Sequence, residues 1–210
     1  MLNEQVNIKN SVALIDDDLQ VCDAIESMLK SIGLQAAVFN NGNDFLKSQN
    51  LDSFGCLIVD LRLPDLSGLQ VIEKAHLMYP YCPPTIMISG YADVPTAVTA
   101  IKNGIIDFLE KPFIPQDLID QIQKALIFDQ QNRSIHKLRA RLDSGLDKLT
   151  IRERQVLRNL LDCKSNKQIS SELKLSSKTI ASHRANILSK CNTESLLQLA
   201  SQIQACELNI

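Results

Sequence analysis

Asp60 ends the apolar run "CLIVD", and Pro64 and Gly68 follow it at fixed distances. Alone, such an acid is commonly a cap on a turn or helix. Its meaning changes if the pair Asp16-Asp17, the hydroxyl of Ser89 and the amine of Lys111 lie beside it. Carboxylates brought within a few ångströms raise one another's pKa unless a cation sits among them. A hard oxygen set that leaves room for water and phosphate suits Mg²⁺. The metal would offset the charge of an incoming phosphoryl donor. Lys111 and Ser89 would bind phosphoryl oxygens, leaving one carboxylate free to attack phosphorus.

The elements that must position these groups can be read from the first 127 residues. Strand-like runs at 11–15, 34–39, 56–60, 85–89 and 105–110 alternate with helix-like stretches near 19–32, 41–48, 67–79, 93–103 and 115–128. Five strands interleaved with five helices predict a parallel sheet covered on both faces, a doubly wound α/β domain. Such folds place their chemistry outside the carboxyl ends of the strands. Strand one ends at Asp16, Asp17 and Asp18, strand three at Asp60 and strand four at Ser89, while strand five runs into Lys111-Pro112. Capping explains one strand-end acid but not this convergence. Asp18 itself is read as a solvated or capping residue.

The rest of the chain has a different character. Residues 10–127 carry 7 Lys/Arg against 15 Asp/Glu, whereas residues 147–210 carry 10 against 6. That basic excess predicts a polyanion partner for the C-terminal part. Residues 128–146 are polar and basic, and Ile135, Leu138 and Leu142 keep helical spacing, which predicts a helical linker with Ser144-Gly145 as its best break. "TIRE" (150–153) and "SNKQ" (165–168) read as capping boxes opening short helices around a small core. Six scattered cysteines without a C-x-x-C read as free thiols of a reducing compartment, and three distant histidines give no support for zinc. With no signal peptide and no apolar run near 18 residues, the protein is expected to be soluble and cytoplasmic, without a membrane partner.

Residues 10–127 resemble the receiver domain of two-component response regulators. The likeness lies in Asp16-Asp17, the Asp60-Pro64-Gly68 frame, Ser89-Gly90 and Lys111-Pro112. The resemblance implies a flavodoxin-like five-stranded domain and a phosphoacceptor, Asp60, served by a sensor histidine kinase. It implies that Asp17 and Asp60 bind Mg²⁺ directly, with Asp16 acting through water and the Arg62 backbone carbonyl as a further ligand. Lys111 would contact the phosphate, and its bond to Pro112 would be cis. Ser89 would move onto the phosphate and let Phe108 turn inward, altering the face made by 93–103, strand five and helix 115–128. Ser89 stands where Thr is more frequent. Arg62 and Tyr91 flank the expected water path.

Residues 147–210 resemble a LuxR-type helix-turn-helix domain, the output of the FixJ/NarL subfamily. The match rests on "LTIRERQVL", "SNKQISSEL" and "LSSKTIASHRANILSK". A scaffold helix at 166–173, a turn at 174–176 and a recognition helix at 177–190 fit both the apolar pattern and the motif. Lys167, Lys178, Thr179, Arg184 and Lys190 are candidates for contacts to DNA phosphates, and Ala181, Ser182 and Ala185 match base-facing positions. Such small residues predict recognition through phosphates, methyl contacts and DNA shape more than bidentate base pairing. Cys163 and Asn192 stand where the family often has glycine, and Cys163 is expected to need a shifted turn. The resemblance implies a transcription regulator that forms a homodimer on phosphorylation and binds double-stranded DNA, with RNA polymerase a candidate partner. It is expected to accept and slowly lose its own phosphoryl group and not to turn over a substrate. Two other readings stay open here: an aspartyl-nucleophile phosphohydrolase, opposed by Arg62 where a second Asp is needed, and an output domain that binds protein.

Overall fold

The apolar runs become strands β1 (Ser11–Ile15), β2 (Gln35–Phe39), β3 (Cys56–Asp60), β4 (Thr85–Ser89) and β5 (Asp107–Glu110). They pair in parallel in the order β2-β1-β3-β4-β5. The computed structural model describes residues 10–48, 51–90 and 105–208. The expected helix at 93–103 and Tyr91 lie outside those residues. The chain divides into two units, Met1–Arg133 and Ser134–Ile210.

Period-two alternation assigns each strand residue to a face of the sheet. Val12, Leu14, Cys56, Ile58, Ile86 and Ile88 pack on one face, with Ile25 and Leu29 of helix α1 (Leu19–Ser31). Leu118 and Ile122, from the first turns of helix α4 (Pro115–Asp147), join the same cluster. Ala13, Ile15, Leu57 and Val59 pack on the other face against α2 (Gly42–Lys47) and α3 (Gly68–Met78). Every residue of β3 and β4 is buried, as expected of central strands covered on both faces. The run at 105–110 is shorter as a strand than its apolar pattern predicts. Ile105 is buried just ahead of it, and the N–H of Ile106 donates to the Thr85 carbonyl at 2.9 Å, so the contact with β4 begins before the strand.

At the end of the sheet where β3 and β4 begin, the first unit closes on a buried polar cluster. Asp129 and Arg133, one turn apart on α4, form a two-pronged pair at 2.9 and 3.1 Å. The Arg133 guanidinium also donates to the carbonyls of Phe54 (2.8 Å) and Asp52 (3.3 Å) and to the Asp52 carboxylate (3.1 Å). It lies 4.5 Å over the ring of Tyr81, whose hydroxyl donates to Asp129 at 2.8 Å.

In the second unit, α5 (Ile151–Leu161), α6 (Asn166–Leu173), α7 (Ser177–Lys190) and α8 (Leu196–Ala205) surround a core of Val156, Leu157, Ile169, Ile180, Ile187 and Leu199. Both expected capping boxes form, at Thr150/Glu153 and Ser165/Gln168. Two expectations are corrected. Ser144-Gly145 does not break the linker helix, because α4 continues to Asp147. Gly145 is needed there for close packing: a Cβ on it would fall 2.8 Å from both the Cys191 Cα and the Lys190 carbonyl oxygen. Cys163 needs no shifted turn and adopts the left-handed conformation itself, at φ 56°. Its N–H and that of Lys164 donate to the carbonyls of Leu160 and Asn159, which closes α5 and satisfies its last orphan acceptors. Asn192 (φ 49°) closes α7 in the same way.

Candidate functional site

Parallel register brings the carboxyl ends of β1, β3, β4 and β5 to one rim. Asp60 pairs with Ile88, so Ser89 lies one residue beyond the partner of Asp60, and Ser89 pairs with Glu110, just ahead of Lys111. Asp16, Asp17 and Asp60 each place a carboxylate oxygen within 4.8 Å of the others. Asp16 is fully buried and Asp60 nearly so, whereas Asp17 is exposed. Lys111 Nζ donates to Asp16 Oδ2 at 2.6 Å and lies 3.6 Å from Asp60 Oδ1. The second Asp16 oxygen accepts the N–H of Asp18, and Asp18 caps α1 by accepting from Gln20 and Val21, as expected. Burial raises the Asp60 pKa from its ordinary value; Lys111 opposes this, and the charges of Asp16 and Asp17 add to it. Three hard oxygen donors, two of them shielded from water, fit a small divalent cation such as Mg²⁺.

The loop after Asp60 is held by its own backbone. The Gly68 N–H donates to the Leu61 carbonyl at 2.9 Å, and Ser67 caps α3 in a box with Gln70. A Cβ on Gly68 would overlap the carbonyl oxygen of Asp60, so this position requires glycine on steric grounds. Asp65 accepts the N–H groups of Gly42 (3.0 Å) and Asn43 (2.8 Å), tying the loop to the first turn of α2. That tie escaped sequence reasoning, since its partners are more than twenty residues away and form no motif. Arg62 pairs with Ser67 in an isolated bridge within the same loop. Ser89 is fully buried, and its carbonyl accepts the Lys111 N–H at 2.7 Å. Phe108 is half-buried against Met87 and Ile105. The Lys111-Pro112 bond is cis. An apolar groove of about 510 Å³, lined by Val21, Ile25, Met28 and Phe113, is bordered by Asp18 and Lys111.

In the second unit, Lys178, Ala181, Ser182, Arg184 and Ala185 are exposed along α7, and Lys167 is exposed on α6. Thr179 is half-buried, with its N–H and hydroxyl both engaged by the capping Ser176. Lys190 does not share the open face. Its Nζ donates to Glu153 Oε2 at 2.6 Å. Burial raises the Glu153 pKa, but Lys190 and the N–H and hydroxyl of Thr150 outweigh it and hold the carboxyl at about 2. Among the described residues, no helix is long and apolar enough to cross a membrane.

Comparison with known proteins agrees with both halves of this geometry. Residues 12–123 match the family model described as "Response regulator receiver domain", and residues 147–203 match "Bacterial regulatory proteins, luxR family". The response regulator protein TodT of Pseudomonas putida is 38% identical over 188 residues, which is 90% of this chain and 82% of TodT. The transcriptional regulatory protein FixJ of Bradyrhizobium diazoefficiens is 33% identical over 192 residues, 91% of this chain and 93% of FixJ. The solved structure of the response regulator StyR is similar with a TM-score of 0.77 at 33% identity, covering 92% of this chain and 98% of that one. An acidic rim on a five-stranded parallel sheet and a basic helical output domain on one chain thus have their counterpart in a known family: the chain belongs to the two-component response regulators of the FixJ/NarL type, with a receiver and a LuxR-type DNA-binding domain.

Proposed function

We propose that Asp60 accepts a phosphoryl group from a sensor histidine kinase and that phosphorylation switches homodimerisation and DNA binding by the C-terminal domain. The observation that carries this reading is the meeting of Asp60 with Asp16, Asp17 and the Lys111 ammonium on one rim. A carboxylate oxygen of Asp60 attacks phosphorus, an O–P bond forms, and the P–N bond to the donor imidazole breaks as that ring takes up a proton. Lys111 holds developing charge on the phosphoryl oxygens, and its present partners Asp16 and Asp60 keep it beside them. Asp16, Asp17, Asp60 and the Arg62 carbonyl would hold Mg²⁺, which supplies neutralising positive charge where four anionic groups would otherwise crowd together. Ser89 then binds a phosphoryl oxygen and Phe108 repacks. A kinase that brings its phosphohistidine to Asp60 would cover the neighbouring apolar groove, since Asp18 and Lys111 belong to both groove and rim.

At the output end, Lys167, Lys178, Thr179 and Arg184 are assigned to DNA phosphates, and Ala181, Ser182 and Ala185 to the floor of the major groove. Cytoplasmic location follows from a DNA target, and RNA polymerase is a candidate partner at promoters. The protein handles only its own aspartyl phosphate and is not a turnover enzyme. Incubation with a small-molecule phosphodonor and Mg²⁺ should give an acid-stable, base-labile phosphoryl label that Asp60→Asn removes. Retention of the label at another residue would overturn the assignment. Gel filtration after beryllofluoride treatment should show a rise in mass, and an unchanged mass would defeat activation by pairing.

A further inference from the structure

We infer that Glu153 and Lys190 form a positioning pair that sets the recognition helix α7 on its scaffold, so that Lys190 serves DNA binding through Glu153 and not through a phosphate. The inference rests on the DNA-binding reading of the C-terminal domain. Lys190 lies in the last turn of α7 and would pass for a phosphate ligand on charge alone. Its Nζ is instead committed at 2.6 Å to a carboxylate 37 residues earlier in the chain. That carboxylate is almost fully buried, and its Oε2 also accepts the N–H (2.8 Å) and hydroxyl (2.9 Å) of Thr150. One oxygen therefore joins the start of α5 to the end of α7. Against the opposing effect of burial, these three donors keep Glu153 ionised, at a pKa of about 2, so the cation it holds is fixed throughout the physiological range.

A second contact acts on the same turn. The absent side chain of Gly145 lets α4 approach the backbone of Lys190 and Cys191, where a Cβ would be 2.8 Å from two backbone atoms. The end of α7 is thus held ionically by α5 and sterically by α4. The exposed Lys178, Ala181, Ser182, Arg184 and Ala185 take their directions from a helix fixed in this way. The two members of the pair are not equivalent. Lys190 remains 32% exposed and can turn to water if released, whereas Glu153, at 4%, is left as a buried charge if Lys190 is removed.

The test uses the full chain and duplex DNA selected from a random pool, titrated by anisotropy across a salt series below each variant's unfolding midpoint. Glu153→Gln keeps the capping box, which accepts Gln, and removes only the ion pair. It and Lys190→Met should each lower the ratio of selected to random DNA affinity by about tenfold, with the double variant no worse than Lys190→Met. Lys190→Arg should restore most of the ratio. The salt slope should stay at the wild-type value in all of them, whereas Lys178→Ala should make it shallower by about one. A shallower slope in Lys190→Met beside an unchanged ratio in Glu153→Gln would make Lys190 a phosphate ligand and overturn the inference. Parallel loss of selected and random affinity would reduce the pair to general stability and overturn it equally. If Lys190→Met does not fold, Glu153→Gln decides alone: positioning lowers the ratio, and a free phosphate-binding lysine leaves it or raises it. Failure of the wild-type chain to prefer the selected DNA would instead break the DNA-binding reading, before any variant is compared.

Discussion

The acidic rim and the recognition helix place their working groups in opposite ways. On the rim, Asp16 and Ser89 are fully buried, Asp60 nearly so, and Lys111 is already in contact with two carboxylates. On α7, the side chains assigned to DNA are exposed, apart from the half-buried Thr179. Phosphoryl transfer develops charge at one point, and fixed groups in a poorly hydrated site act on it most strongly. Reading a duplex requires a surface that stays open until the duplex arrives, so preorganisation moves behind the helix, to Glu153, Lys190 and Gly145. Under the proposed roles, burial marks the reacting groups in one domain and the support of the reading face in the other.

Substitutions in each domain put this contrast to the test. The largest expected effect on stability is that of Lys111→Met, which leaves the buried Asp16 without its cation. In metal-free buffer, urea unfolding should show a loss of about 3 kcal/mol, recovered in part by Mg²⁺. No loss would mean that the rim is not interlocked. A smaller effect belongs to the second domain. Glu153 has a folded pKa of about 2 against an ordinary value of 4.5, so its contribution is present above pH 4.5 and fades as pH falls toward 2. Acid titration of thermal unfolding should reveal a loss on the order of 1–2 kcal/mol over that window, given the partial exposure of Lys190. In Glu153→Gln this component should be missing. The smallest stability changes, within about 0.5 kcal/mol, are expected for Lys178→Ala and Arg184→Ala. Each should nevertheless flatten the salt dependence of DNA binding by about one unit of slope. A large stability loss there would show that the reading face also carries structural load.

The same contrast explains what the amino-acid sequence discloses. Strand-end acids, Ser89 and Lys111 are legible because a parallel sheet converts strand order into spatial order, and the observed register brings them to one rim. The capping boxes at Thr150 and Ser165 are legible because their partners lie three residues apart. Lys190 has a partner that one dimension hides: a lysine on a basic helix reads as a phosphate ligand, and the fold sets Glu153 against it. Gly145 is misleading on sequence alone: Ser-Gly resembles a break, and only the approach of the Lys190 and Cys191 backbone reveals why a glycine stands within a helix. Cys163 shows that a left-handed residue can be tolerated where the helix end gains two backbone hydrogen bonds. The tie between Asp65 and α2, and the cluster around Arg133, rest on partners scattered along the chain and carry no local signal.

The Arg133 cluster has a practical consequence for anyone who would graft this receiver onto a foreign output. A cut at 127, where the apolar periodicity of the receiver ends, discards both Asp129 and Arg133. The carbonyls of Phe54 and Asp52 then lose a donor, and the Tyr81 hydroxyl and ring lose the acid and the cation that hold them. A cut after Arg133 leaves all of these satisfied. The seam for exchanging parts lies inside a continuous helix, six residues past the point where the apolar pattern would put it.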